Sequence, residues 1–157
     1  MKIRLLCVGK TSHSFVKEGM EKYSKRLKKY LPFHIEVIPE TKASKSSSPE
    51  QIKQLEGEKI KKKLNPSDLI ILLDEHGKQY TSVKFARFLE KQFSGSKKQL
   101  VFIVGGAWGF SNEIYKLADH KIALSSMTFS HQIIRVIFLE QLYRAMTIIK
   151  GEPYHNA

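Results

Sequence analysis

The chain has 157 residues, 41% apolar and 27% charged, which suits one globular domain and leaves too little length for two well-buried cores. Twenty-seven Lys and Arg against fifteen Asp and Glu give a net charge of +12 and a pI near 9.8, so a polyanionic partner is expected. A single cysteine, Cys7, excludes an intramolecular disulfide and an all-cysteine metal site.

In chain order, apolar runs of strand length alternate with helical patterns. Lys2 to Val8 reads as a strand. From about Ser14 to Tyr30, Val16, Met20, Tyr23, Leu27 and Tyr30 recur at spacings of three and four, the buried stripe of a helix. His34 to Ile38 is a short strand, and Pro39 to Ser48, with Lys42, Lys45 and a run of serines, reads as a mobile loop. Ser48-Pro49-Glu50-Gln51 opens a second helix: Ser48 can cap, Pro49 suits the first turn and Gln51 can close a capping box. That helix is expected to run to about Leu64 and to stop at Asn65-Pro66.

Asp68 to Leu73 is nearly all apolar, as in a parallel strand covered on both faces, and Asp74-Glu75-His76-Gly77 is expected to turn the chain. Ser82 can cap a helix through Phe93. Gln99 to Val104 is another apolar strand, broken by Gly105-Gly106-Ala107-Trp108-Gly109. Ser111 can cap a short helix, and Lys121 to Leu124 forms a last strand. The final helix, from about Ser130 to Lys150, is apolar almost all round, and one side of it lacks obvious cover in so small a chain, so a homodimer is expected. The alternation predicts a single α/β domain over residues 1–157, with a mostly parallel sheet flanked by helices.

Charge is uneven along the chain. Residues 1–63 hold sixteen Lys and Arg against seven Asp and Glu, and the remainder eleven against eight. The densest run, Lys22, Lys25, Arg26, Lys28 and Lys29, falls mostly off the buried stripe of the first helix. Such a run is either a solvated face or a phosphate-contact surface. Met1 leads into an apolar run too short for a signal sequence, and no stretch approaches the roughly 18 apolar residues of a membrane span. A cytoplasmic location without a membrane partner follows as the expectation.

Ligands of parallel sheets bind beyond the carboxyl ends of the strands, and the loops after Leu73, Val104 and Leu124 meet at that edge. The Gly105-Gly106 loop matches neither a dinucleotide fingerprint nor a phosphate loop; its glycines either admit a ligand to bare backbone or make a simple turn. Met127 and Phe129 either flank an aromatic or thioether ligand or plug the core. His131 suits a general base or a packed cap. Arg135, one turn on, suits a clamp on a phosphate or carboxylate, or an ion pair with Asp74, Glu75 or Glu140. The tail Glu152 to Ala157 carries two proton-handling groups where fraying is the norm. Six scattered histidines show no ligand spacing, so no metal is expected.

Four strings together resemble the RlmH family, the bacterial 23S rRNA pseudouridine-N3 methyltransferases of the SPOUT class. They are Phe102-Ile103-Val104-Gly105-Gly106-Ala107-Trp108-Gly109, Leu124 to Gln132 with Arg135, Glu140-Gln141-x-Tyr143-Arg144-Ala145, and Pro153-Tyr154-His155. The resemblance spans the chain. It implies a SPOUT-type fold with a deep C-terminal trefoil knot, an exception to the rule against knots. It also implies S-adenosylmethionine as methyl donor, a homodimer, and 23S rRNA within the assembled ribosome as substrate. By the same resemblance the cofactor residues are Leu73, Gly105, Leu124, Ser125, Ser126, Met127, Thr128 and Phe129. Tyr154 and His155 are the preferred proton-handling pair, reaching the partner protomer's cofactor; Arg135 would hold a phosphate or the uracil oxygens, with His131 as a second base.

Overall fold

A computed structural model describes residues 1–42 and 46–156. The middle of the expected 39–48 loop, including Lys45, and the terminal Ala157 lie outside the described residues. The elements are β1 (Lys2–Val8), α1 (Ser14–Leu27), β2 (Phe33–Ile38), α2 (Pro49–Lys61), β3 (Asp68–Gln79), α3 (Ser82–Phe93), β4 (Gln99–Val104), α4 (Asn112–Leu117), β5 (His120–Ala123) and α5 (Ile133–Ile149). The strands form one five-stranded sheet in the order β2-β1-β4-β3-β5, parallel throughout.

Side chains alternate across each strand, which explains the uninterrupted apolar runs. Ile3, Leu5 and Cys7 of β1 and Leu100 and Phe102 of β4 pack under α1, α3 and α5, with Phe138 of α5 against Phe102 at 4.7 Å between rings. Leu6, Val8, Leu72 and Ile103 face the other way, onto Ile60 of α2 and Ile114 of α4. Cys7 is fully buried, and burial pushes its thiol up to about 11, so it is core, not chemistry.

Local signals account for the helix starts. Ser48 Oγ accepts from Gln51 N–H while Ser48 N–H donates to Gln51 Oε1, closing the expected capping box. Ser111 caps α4 as expected. At α3 the cap is Thr81, whose Oγ1 accepts from Lys84 N–H; Ser82, expected to cap, instead donates its hydroxyl to Gln141 Oε1 on α5. The stretch Asp74–Gly77 does not end its strand. Leu73 and Lys78 both pair with Ile122, so these four residues bulge out and β3 then resumes along β5.

Because every strand runs the same way, the chain leaves β1, β3, β4 and β5 along one edge. No described helix is long and apolar enough to cross a membrane.

Candidate cofactor cavity and active site

A cavity of about 450 Å³ opens on that edge, between the Asp74–Gly77 bulge of β3 and the loops that follow β4 and β5. Its size is that of a small-molecule site. Apolar walls come from Leu73, Val104, Ile122, Leu124 and Ile134, and bare backbone from Gly105 and Gly106. Gly109 sits at φ +83°, a conformation that favours glycine, and its N–H donates to Gly106 O at 3.1 Å, folding the loop back on itself.

Side chains tie the bulge of β3 to the loop after β5 and to α4. Thr128 Oγ1 donates to Glu75 Oε2 at 2.7 Å, joining the loop after β5 to the bulge of β3. Asp74 accepts the hydroxyl of Tyr115 from α4, and this bond, with burial as the larger cause, raises the phenol's pKa. Ser125 Oγ accepts from Met127 N–H, and Ser130 Oγ accepts from Ile133 N–H at the entry to α5. Trp108 and Met127 stand at the mouth, 56% and 74% exposed.

Seven of the eight expected cofactor residues line this cavity: Leu73, Gly105, Leu124, Ser125, Met127, Thr128 and Phe129. Ser126 is exposed and not among the lining residues. His131 lines the cavity near Ile134.

Arg135 does not. It is fully buried, and four of its five N–H groups are used inside the chain: Nε donates to His131 O, Nη1 to Gly9 O and Thr11 Oγ1, and Nη2 to Val8 O, at 2.8 to 3.0 Å. The expected clamp on a phosphate or on uracil oxygens is therefore not available in this chain, and the alternative ion pair with Asp74, Glu75 or Glu140 is not made either. Three carbonyls and a hydroxyl solvate a cation that a purely apolar helix would have excluded. Its work is to join α5 to the end of β1. Gln132 reinforces the joint, accepting from Ser12 N–H and donating to Lys10 O, both at 2.9 Å.

The tail is docked, not frayed. Tyr154 OH donates to Glu140 Oε1 at 3.1 Å, its ring meets Tyr143 edge-on at 4.7 Å, and Arg144 Nη1 lies 3.2 Å from His155 Nδ1. Burial and the Glu140 bond push the Tyr154 phenol up to about 12. Both residues therefore lie along α5, and neither lines the cavity of its own chain. Among the described residues no group of three or more His, Cys, Asp or Glu is placed to hold a metal.

A family model described as "Predicted SPOUT methyltransferase" matches residues 1–155. The chain is 53% identical over 156 residues to the ribosomal RNA large subunit methyltransferase H of Parabacteroides distasonis and 52% identical to that of Bacteroides fragilis, with 99% of each chain covered. It is 49% identical to the protein of the same name from Cytophaga hutchinsonii, over 99% of this chain and all of the relative.

Proposed function

The chain belongs to the SPOUT methyltransferase family, and from that premise we propose that it methylates N3 of a pseudouridine in 23S rRNA. In this reading S-adenosylmethionine is the donor, the assembled ribosome the substrate, and a cytoplasmic homodimer the working unit. The family's deep trefoil knot belongs to the same reading. The observation that carries it is the convergence of Leu73, Gly105 and the Leu124–Phe129 loop on one cavity.

The lining suits the methyl donor. Leu73, Leu124, Phe129 and Ile134 offer apolar surface to an adenine ring. The peptide groups of Gly105, Leu124, Ser125, Met127 and Thr128 offer polar contacts. Asp74 and Glu75 would supply carboxylate charge within the same cavity to favour a cationic sulfonium. When bound, S-adenosylmethionine supplies a methyl carbon that is already electrophilic. What remains for the protein is alignment of the acceptor nitrogen and removal of its proton.

The chain's own residues would hold N3 in line with the donated methyl group and accept the proton that N3 gives up. Tyr154 and His155 would serve the partner's cavity, since neither faces its own. With its pKa pushed up to about 12, Tyr154 stays a phenol at neutral pH and acts as a hydrogen-bond donor. That leaves His155 to take the proton once its Nδ1 is released from the Arg144 guanidinium, with His131, already on the cavity wall, as the second candidate. Arg135 is a positioning residue that fixes the backbone of His131.

Labelled S-adenosylmethionine incubated with ribosomes lacking the modification is expected to label one pseudouridine of 23S rRNA at N3; label at any other base or position refutes the reading. Truncation after Pro153 is expected to leave cofactor binding intact and abolish methyl transfer. Near-normal turnover by the truncated chain would remove Tyr154 and His155 from the reaction.

A further inference from the structure

A buried acid lies behind the cavity wall without taking part in it. Glu56 of α2 is 6% exposed, and its Oε2 has no hydrogen-bond partner. An ionised carboxylate in such a place is costly unless paired, and no ion pair to Glu56 forms among the described residues. A space-filling role would be met better by leucine or methionine.

What the carboxyl touches gives it a purpose. A Cβ built on Gly106 would stand 2.8 Å from Glu56 Oε2 and 2.9 Å from Oε1, so the carboxyl occupies the space a side chain at 106 would need. The next residue repeats the fit in reverse. A Cβ on Gly57 would stand 2.6 Å from Ser111 Oγ, the hydroxyl that caps α4. Glu56 and Gly57 thus key α2 into both ends of the loop from Gly105 to Ser111, whose Gly105–Phe110 part lines the cavity. Gly106 is glycine to admit Glu56 behind the wall as much as to bare its backbone in front.

We propose that Glu56 is a positioning residue for methyl transfer, its carboxyl seated behind Gly106 to hold the Gly105–Gly109 loop in its cofactor-binding shape. This rests on the reading of the cavity as the S-adenosylmethionine site. Burial and the nearby Glu40 charge both raise the carboxyl's pKa, and Lys59 opposes them. The loop itself carries no titratable side chain from Gly105 to Ser111. Ionisation therefore sets a charge against Glu40 with only Lys59 to relieve it, and the loop is the part that yields.

The test uses the full-length protein, S-adenosylmethionine titrated by calorimetry, and thermal melting. Glu56→Gln keeps shape and polarity without a charge, and is expected to bind within twofold of wild type. Glu56→Met keeps the volume but removes the polar group. It is expected to lose at least tenfold in affinity with a melting temperature equal to or above wild type. Wild-type affinity is expected to fall as pH rises through the raised pKa, and Glu56→Gln to lack that fall. A Glu56→Met protein that binds like wild type, or the same pH profile in wild type and Glu56→Gln, overturns the proposal alone. Absence of any S-adenosylmethionine binding by wild type overturns it together with the reading of the cavity.

Discussion

The two basic helices of the front half make different use of the same charge. On α2 and just beyond it, lysines are engaged within the chain: Lys53 with Glu50 at 2.6 Å, Lys61 with Glu113 at 2.5 Å, and Lys63 with Glu36 at 2.7 Å. On α1 and the turn after it, Lys22, Lys25, Lys28 and Lys29 form no ion pair among the described residues, although Glu18 and Glu21 stand four residues before Lys22 and Lys25. Arg26 lies over the rings of Tyr23 and Tyr143, at 5.7 and 5.2 Å. A groove of about 560 Å³ between α1 and the edge strand β2 is lined by Lys17, Lys22, Lys25 and Lys28, which outnumber the two carboxylates there, Glu18 and Glu21. Net charge counts every cation, whereas a polyanion competes only weakly for those already neutralised. The surface to expect against RNA phosphates is α1, and the lesson is that a +12 total says little until its pairs are known.

The largest effect should come from breaking that difference at α1. Changing Lys22, Lys25 and Lys28 together to Gln is expected to weaken ribosome binding by roughly ten- to a hundredfold at moderate salt. The slope of log affinity against log salt should become shallower by about 2 to 3, since each phosphate contact contributes roughly 0.7 to 0.9. Cofactor affinity should not change, because none of the three lines the cavity. Ribosome binding at wild-type strength with an unchanged slope would show that the groove is not where RNA sits.

The same loss of three charges at Lys53, Lys61 and Lys63 sharpens the comparison. If net charge governs docking, this variant matches the first; if available charge governs it, affinity falls by less than about threefold. Binding measured side by side over a salt series decides between them.

How far the sequence anticipates these features depends on how local their causes are. The strands read clearly because a parallel strand covered on both faces is an unbroken apolar run, as in Leu69 to Leu73. The Ser48 cap read clearly because its partner is three residues away. Thr81 and Ser82 are adjacent hydroxyls, and only the position of Gln141, on a distant helix, decides which of them caps. Asp74 to Gly77 reads as a turn because its polar residues give no sign that Lys78 re-pairs with Ile122. Arg135 announces that it needs partners, but those partners are carbonyls at Val8 and Gly9, more than 120 residues away. Glu56 is hidden most completely: in Glu56-Gly57-Glu58-Lys59 it looks like a solvated helix face, and the one local sign is the glycine beside it. The cavity was legible as three loops on one edge, while the struts behind it were not, because they depend on tertiary contacts.

The smallest effect concerns what an engaged lysine does where it is. Lys63 and Arg4 converge on Glu36: Arg4 Nη2 donates to Glu36 Oε2 at 2.9 Å, and both Arg4 Nη groups donate to Lys63 O at 3.1 Å. The Lys63 hydrogen bond, ahead of the one from Arg4, holds the Glu36 carboxyl below the ordinary glutamate range. A carboxyl with a depressed folded pKa adds stability that is present above its unfolded pKa and disappears as pH falls through the folded one. Urea midpoints measured from pH 7 downwards should therefore fall more steeply for wild type than for Glu36→Gln, with the two curves converging at the acid end. The difference should be modest, because Glu36 keeps partial solvent contact. Parallel curves over the whole range would mean that Lys63 contributes no fold stability through Glu36. It would then be as free for phosphate as the lysines of α1, and the contrast between the two helices would narrow to Lys53 and Lys61.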